Sequence, residues 1–265
     1  MPELAEVESQ RRIWARSTGE KVLGVDWRPT NRVCRGLDRG LSLISLRGHR
    51  LLESQCRGKQ MLFQWEGGWW LGIHLGMTGS LHNEPDGGVW SKHEVLRLEM
   101  ENRVLSLRDP RMFGRVRLDR SPSTPPRWWS QLPPSILSES FTAARVVGFL
   151  SGHPRRPLKA LLLDQAKFPG IGNWMADEIC WRIGVHPGRR CGDLGVSGAS
   201  RLFRTVRAVA RGAMRWIAEK GVDPPPNWLF RHRWKDGGHC PRTGKPLVRE
   251  TIAGRTTCYE PGRQV

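Results

Sequence analysis

Acidic side chains are scarce in this chain: 25 aspartates and glutamates stand against 43 lysines and arginines, a formal charge of +18. That imbalance disfavours a basic partner and suits a polyanion, with affinity that falls steeply as salt rises. No apolar run approaches the ~20 residues of a membrane span. Cysteines are few and unpaired in spacing, at positions 34, 56, 180, 191, 240 and 258, which suits reduced thiols in a cytosol rather than a disulfide framework. The first residues, MPELAEVE, are acidic and lack an apolar h-region, so no secretory signal is read there and a cytoplasmic protein is expected. There is no internal repeat and no low-complexity tract. Charge alone does not choose between a nucleic acid, a ribosome and a membrane surface.

What is present is periodicity that changes along the chain. Residues 2–16, PELAEVESQRRIWAR, place Leu4, Val7 and Trp14 on one stripe of an expected helix, with Glu3 and Glu6 where the helix dipole favours carboxylates. From Val22 to about Leu118 the pattern shortens to alternation: Leu96, Leu98 and Met100 against Arg97 and Glu99, then Val116 and Leu118 against Arg115 and Arg117. Gly67-Gly68 and Asp86-Gly87-Gly88 are turn signals. Arg57-Gly58-Lys59 precedes the apparent strand 60–65, which puts Lys59 near a hairpin tip. The proline-rich stretch 121–135, SPSTPPRWWSQLPPS, reads as a linker. Beyond it the pattern is helical, including 201–220 with Leu202, Val206, Val209 and Met214 on one face.

Within that helical part, Leu161–Pro187 reads as helix, glycine turn, helix. The first helix is expected to end near Ala166 and Asn173 to cap the second, with Asp177 and Glu178 in its first turns. Gly170 and Gly172 sit where outward-pointing N–H groups at a helix N-terminus can hold a phosphate. The spacing leaves two readings open, an αα-hairpin without a ligand and a phosphate grip.

LLLDQ, PGIGN and ADEI at this spacing resemble the helix–two-turn–helix of the formamidopyrimidine-DNA glycosylase/endonuclease VIII family, and Met-Pro-Glu-Leu at the start is a second match. So are HLGMTGS at 74–80, which resembles HLGMSG, and DPRMFG at 109–114, which resembles DPRRFG. The resemblance implies an α+β fold: an N-terminal helix and antiparallel β-sandwich over 1–120, the linker 121–135, a helix-two-turn-helix domain over 136–225, and a β-hairpin finger over 226–265. It implies that Pro2, once Met1 is removed, attacks C1′ of a damaged nucleotide. An α-amino group titrates near ~7.7–8.0 against ~10.4 for lysine, so it offers more free amine at neutral pH. Glu3 is implied as general acid/base, and Lys59 as a catalytic lysine on the phosphate by the lesion. Asn173, Arg255 and the Gly170 and Gly172 amides are implied phosphate contacts. Met77, Arg111 and Phe113 are implied to fill the hole left by an everted nucleotide, an apolar wedge and a planar cation replacing lost stacking and pairing.

Two departures matter. A four-cysteine zinc site holds the finger in much of the family, but here the matching positions are Cys240, Thr243, Glu260 and Arg263. A zinc-less finger is expected over 226–265, with eight basic and three acidic residues and no cofactor, a metal held by Cys258 and His239 in another geometry being the alternative. Segment 218–238 lacks the longer loop that closes over 8-oxoguanine in the guanine-specific branch, so oxidised pyrimidines, ring-opened purines or abasic sites are the expected lesions. The leading expectation is a monomeric, bifunctional DNA glycosylase/AP lyase of base excision repair, acting on duplex DNA with an oxidised base or abasic site by β,δ-elimination. The alternatives are a non-catalytic binder of damaged or abasic DNA and an RNA-binding or ribosomal protein.

Overall fold

Alternating apolar residues need a second face to bury them, and here two sheets supply it to each other. The computed structural model describes residues 1–265 except 29, 38–40, 86, 87 and 89. The first two residues of the Asp86-Gly87-Gly88 signal therefore lie outside the described residues. The chain divides into two compact units, 1–2 with 6–132 and 3–5 with 133–265.

The first unit contains most of helix α1 (Leu4–Ala15) and strands β1 (Val22–Trp27), β2 (Leu51–Arg57), β3 (Gln60–Trp65), β4 (Trp69–His74), β5 (Ser80–Glu84), β6 (Glu94–Met100), β7 (Val104–Arg108) and β8 (Arg115–Arg120). They form two antiparallel sheets, β1-β6-β7-β5 and β2-β3-β4-β8. Phe63, Leu71 and Ile73 of one sheet and Leu96, Leu98 and Leu105 of the other share a single core with Val7 and Trp14, the arrangement of a β-sandwich. The stripe expected on α1 divides: Leu4 and Ala5 are buried in the second unit's core and Val7 and Trp14 in the sandwich.

Two expectations change here. Arg97, read as an outward position of an alternating strand, is 6 % exposed and donates to the fully buried Glu94 at 2.7 Å. Burial of a charge is tolerable because its partner is buried with it. Of residues 121–135, read as linker, 133–135 belong to the second unit and 121–132 to the sandwich unit. They contain helix α2 (Arg127–Ser130), whose Trp129 packs with Leu62 and Trp70 while Trp128 donates its indole N–H to Asp119 at 2.9 Å. Proline density suggests an extended spacer, but two adjacent tryptophans carry enough apolar area to dock the segment.

The second unit holds α3 (Ala143–Ser151), α4 (Leu158–Leu162), α5 (Asn173–Ile183), α6 (Gly195–Ala213) and the hairpin β9 (Val248–Ile252) and β10 (Arg255–Tyr259). Its core gathers Leu158, Leu161 and Leu162 with Trp174, Ile179, Leu202, Val206 and Val209. Helix α4 stops at Leu162, short of Ala166, because Asp164 turns back to accept from Ala166 N–H and Gln165 occupies the turn that follows.

Candidate functional site

In the second unit the site is organised by Glu3. Its carboxylate is 2 % exposed and accepts N–H bonds from Gly172 at 2.8 Å, Trp174 at 2.9 Å and Met175 at 3.1 Å, while Leu4 N–H donates to the Gly170 carbonyl at 3.0 Å. Helix α5 is thus capped by a residue 169 positions before Gly172 in sequence. Asn173, expected as the N-cap, is instead the first helical residue; the cap is Gly172, which has no side chain to close the turn. A negative charge on the N-terminal amides is favoured by the orphan donors and the helix dipole.

The two turn glycines serve different ends. Gly170 has φ of 93°, a left-handed conformation, whereas Gly172 does not. At Gly172 a Cβ would run into the Glu3 carboxyl group. Their amides do not form the phosphate grip expected of them: Gly170 N–H donates to Gln165 Oε1 at 3.1 Å and Gly172 N–H to Glu3. The Asn173 amide, between those of Gly172 and Trp174, is not among the donors to Glu3. The Asn173 side chain donates to the Thr256 carbonyl at 2.9 Å, which leaves its second amide hydrogen to offer. Thr256 follows Arg255, so the helix end and the exposed finger arginine are tied through one hydrogen bond.

Asp177 and Glu178 are not surface residues of a first turn. Both are fully buried. Asp177 meets Lys159 at 2.6 Å and Arg233 at 2.5 Å and accepts the Cys258 N–H at 3.0 Å. Lys159 also donates to Thr257 Oγ1 at 2.8 Å, so α4, α5, the 229–233 segment and β10 meet at one carboxylate. Burial lowers the Lys159 ammonium from its ordinary value, and Asp177 opposes that shift. Glu178 pairs with Arg182 at 2.7 Å and accepts from Phe230 N–H at 3.2 Å; burial raises its carboxyl. Sequence reasoning missed this hub, since acid residues at the start of a helix read as solvated.

The finger hairpin turns at Ala253-Gly254, both at positive φ, and Arg255 stands exposed just after it. Three of the four positions that would hold zinc do something else. Cys240 Sγ accepts the Trp181 indole N–H at 3.4 Å, Thr243 Oγ1 accepts from Lys245 N–H, and the Arg263 guanidinium lies 5.2 Å from the Trp181 ring. One thiol and one carboxylate beside a threonine and an arginine fall short of the four ligands a closed tetrahedral zinc site needs. Trp181, fully buried between Arg242 at 4.3 Å and Arg263, packs with Leu229, Cys240, Leu247 and Cys258 where a metal would otherwise gather the loops. Burial pushes the Cys258 thiol up to about 11. A chelator in excess is expected to leave the melting temperature of the purified protein unchanged; a fall on chelation, restored by zinc, would contradict this.

In the sandwich unit Pro2 is half-exposed and Lys59 sits at the β2–β3 turn, where Arg57 pairs with Gln60. Arg57 stacks 5.2 Å over Trp129 and donates to its carbonyl at 3.2 Å, which fixes the strand end that carries Lys59. Burial first, and then the cations Lys59, Arg115 and Arg117, lower the His74 imidazole from its ordinary value. The loops that carry Met77 and Phe113 are braced against each other. Asp109 accepts from Thr78 Oγ1 at 2.9 Å and from Gly114 N–H at 2.7 Å, and a Cβ at Gly76 would strike the Phe113 carbonyl. Phe113 is 44 % exposed with the Arg111 and Arg32 guanidiniums 5.0 and 5.6 Å from its ring, while Met77 beside Gly76 is half-buried. A cavity of about 440 Å³ opens beside Phe113, lined by Arg32, Arg35, Arg115, Arg117 and His74.

Among family models, the formamidopyrimidine-DNA glycosylase N-terminal domain matches residues 1–116 and the formamidopyrimidine-DNA glycosylase H2TH domain matches 132–221. The formamidopyrimidine-DNA glycosylase of Thermus thermophilus is 36% identical over 274 residues, covering 98% of this chain and 97% of its own. That of a Roseiflexus species is 32% identical over 288 residues, with 98% of each covered. The crystal structure of MutM (Fpg) from Thermus thermophilus superposes with a TM-score of 0.80 at 33% identity, covering 99% of this chain and 98% of that one. A complex between the LlFpg protein, a THF-DNA and an inhibitor superposes with a TM-score of 0.86 at 25% identity, over all of both chains.

Proposed function

Because the chain belongs to the formamidopyrimidine-DNA glycosylase family, we propose that it excises damaged bases from duplex DNA and then cleaves the strand, using the Pro2 nitrogen as nucleophile. The observation that carries this reading is the Glu3 clamp: the residue after the nucleophile is locked by three backbone amides onto the helix end of the helix-two-turn-helix. Restricting the residue next to Pro2 lowers the entropy of bringing its nitrogen to a bound sugar.

Once Met1 is removed, the free secondary amine attacks C1′ and gives up its proton, the damaged base leaves with the C1′–N bond electrons and is protonated, and the sugar ring opens, O4′ taking a proton, to an iminium ion on Pro2. Three N–H donors on the Glu3 carboxylate favour its charged form, which lets it serve first as a base and as a counter-charge to the iminium and then pass on as an acid the proton it takes up. Loss of the C2′ proton then expels the 3′ phosphate by β-elimination, and δ-elimination expels the 5′ phosphate. Lys59 and Arg255 hold the phosphates beside the lesion, joined by the Asn173 backbone and side-chain N–H groups. Arg111, Phe113 and Met77 fill the vacated stack. The finger works without zinc.

Segment 228–234 is drawn onto the protein: Phe230 stacks 5.0 Å from Trp174 and 5.3 Å from Trp234, and Arg231 donates to the Pro224 carbonyl. A pinned segment of this length supports oxidised pyrimidines, ring-opened purines and abasic sites as substrates over 8-oxoguanine. The protein acts as a monomer in the compartment that holds the genome. No helix among the described residues is long and apolar enough to cross a membrane.

Borohydride reduction during turnover on an abasic duplex is expected to yield a covalent protein–DNA adduct from the wild type and to lose it in Pro2→Gly. No adduct on any oxidised or abasic duplex would leave a binder of damaged DNA in place of an enzyme.

A further inference from the structure

Helix α6 carries a feature that lesion processing does not use. Its packed side is formed by Ala199, Leu202, Val206, Val209, Ala210 and Ala213, set against α3 and α5. Arg204, Arg211 and Arg215 each follow a buried residue of that side by two positions, about 200° around a helix of 3.6 residues per turn. With Arg201 and Arg207 they recur every three or four residues and make one stripe on the face turned away from α5, Arg215 lying in the π-helical turn that continues the helix. Arg201, Arg204, Arg211 and Arg215 are exposed. Arg207 is half-buried and donates to the carbonyls of Leu137 and Ser138, which anchors the middle of the stripe. Lys220, 4.0 Å over the Trp216 ring, adds a cation at the C-terminal end.

Among the described residues no carboxylate pairs with any of the five arginines, and Glu219 is the one acid between 195 and 220. A helix face kept polar for solubility gains from mixed signs and i,i+4 acid–base pairs. This one sets like charges at successive i,i+3 and i,i+4 positions, an arrangement that destabilises a helix until counter-charges arrive. A rod of phosphates supplies them.

We infer that the arginine stripe of α6 is a second duplex-binding surface, which holds an undamaged DNA segment while the lesion occupies the site at the α5 end. The inference rests on the DNA-repair reading. The partner is duplex DNA because the stripe is linear, cationic along its length and free of base-reading amide side chains, which fits backbone contact without sequence preference. The thickness of α6, about 10–12 Å, separates the stripe from the packed side on which α5 lies. One short duplex on the α5 end therefore leaves the stripe open to another.

The test uses the full chain trapped by borohydride on a biotinylated lesion duplex of about two helical turns, immobilised on beads. With the lesion site covalently filled, capture of a labelled undamaged duplex reports a separate surface. Wild-type adduct is expected to capture it, with retention falling at least tenfold between 50 and 200 mM salt. The variant R204Q/R211Q/R215Q is expected to trap on the lesion duplex to the wild-type yield and to capture at least fivefold less second duplex. Wild-type adduct that captures no more than beads bearing lesion duplex alone would overturn the inference. So would equal capture by the triple variant, or capture of phosphatidylserine vesicles or RNA hairpins in place of duplex. Absence of any trapped adduct is the separate failure of the repair reading, and capture by non-covalently loaded protein, with its dependence on the three arginines, then decides the stripe by itself.

Discussion

Glu3→Gln is expected to slow single-turnover base excision by about 10²- to 10⁴-fold, the range associated with a positioned acid–base group. The isosteric amide fails twice. It carries no charge to balance an iminium ion on Pro2, and it can neither take the proton the attacking amine gives up nor hand one to the sugar oxygen as the ring opens. It also meets three backbone donors, the N–H groups of Gly172, Trp174 and Met175, with one acceptor oxygen and one NH₂ group. At least one buried donor then faces another donor, which costs about 1–3 kcal/mol. Rates on a preformed enzyme–duplex complex, measured beside a denaturant titration of the free protein, separate the chemical loss from the structural one. Excision at the wild-type rate would show that Glu3 is only a helix cap.

Asp177→Asn is expected to destabilise the protein by about 3–5 kcal/mol, the range found when one member of a buried ion pair is removed. Lys159 is fully buried and Arg233 is 4 % exposed, so neither cation recovers hydration when its carboxylate is lost. The Cys258 N–H loses a charged acceptor in the same step, and Thr257 beside it is held by Lys159. The finger therefore loosens along with the helices, and proteolysis of the native protein is expected to begin within 226–265. Urea unfolding provides the number. A loss under about 1 kcal/mol, the scale of exposed ion pairs, would mean that water reaches the hub.

Hub and clamp together account for how a finger short of thiolates stays in place. Asp177 ties β10 to α4 and α5, Asn173 ties Thr256 to the helix end, and Trp181 gathers Cys240, Cys258 and two arginines. Each of these contacts begins on α5, the helix whose N-terminus Glu3 caps.

Much of this was legible in the residues. Alternation at 96–100 and 115–118 announced the sandwich strands, Gly58-Lys59 announced a hairpin tip, and the PGIGN turn announced the break between α4 and α5, because each depends on local backbone preference and neighbours within a few positions. The departure from the zinc-ligand pattern was equally readable, since a ligand set is a matter of residue identity. What the sequence determined alone was the chemical inventory: a proline and a glutamate at the chain start, an excess of basic residues, the HLGMTGS and DPRMFG loops and a finger short of thiolates.

The tertiary structure decided which of those groups are spoken for. Gly170 and Gly172 looked like free phosphate donors until Gln165 and a glutamate 169 positions from Gly172 took their hydrogen bonds. Asp177 in a first helical turn and Arg97 in an alternating strand showed nothing of the buried partners that make their burial tolerable. Tryptophans 128 and 129 turned a proline-rich stretch into a docked helix. The physical reason is common to all of them. Hydrogen-bond satisfaction and charge pairing are set by which atoms meet in space, and residues far apart along a chain meet only once the cores have closed.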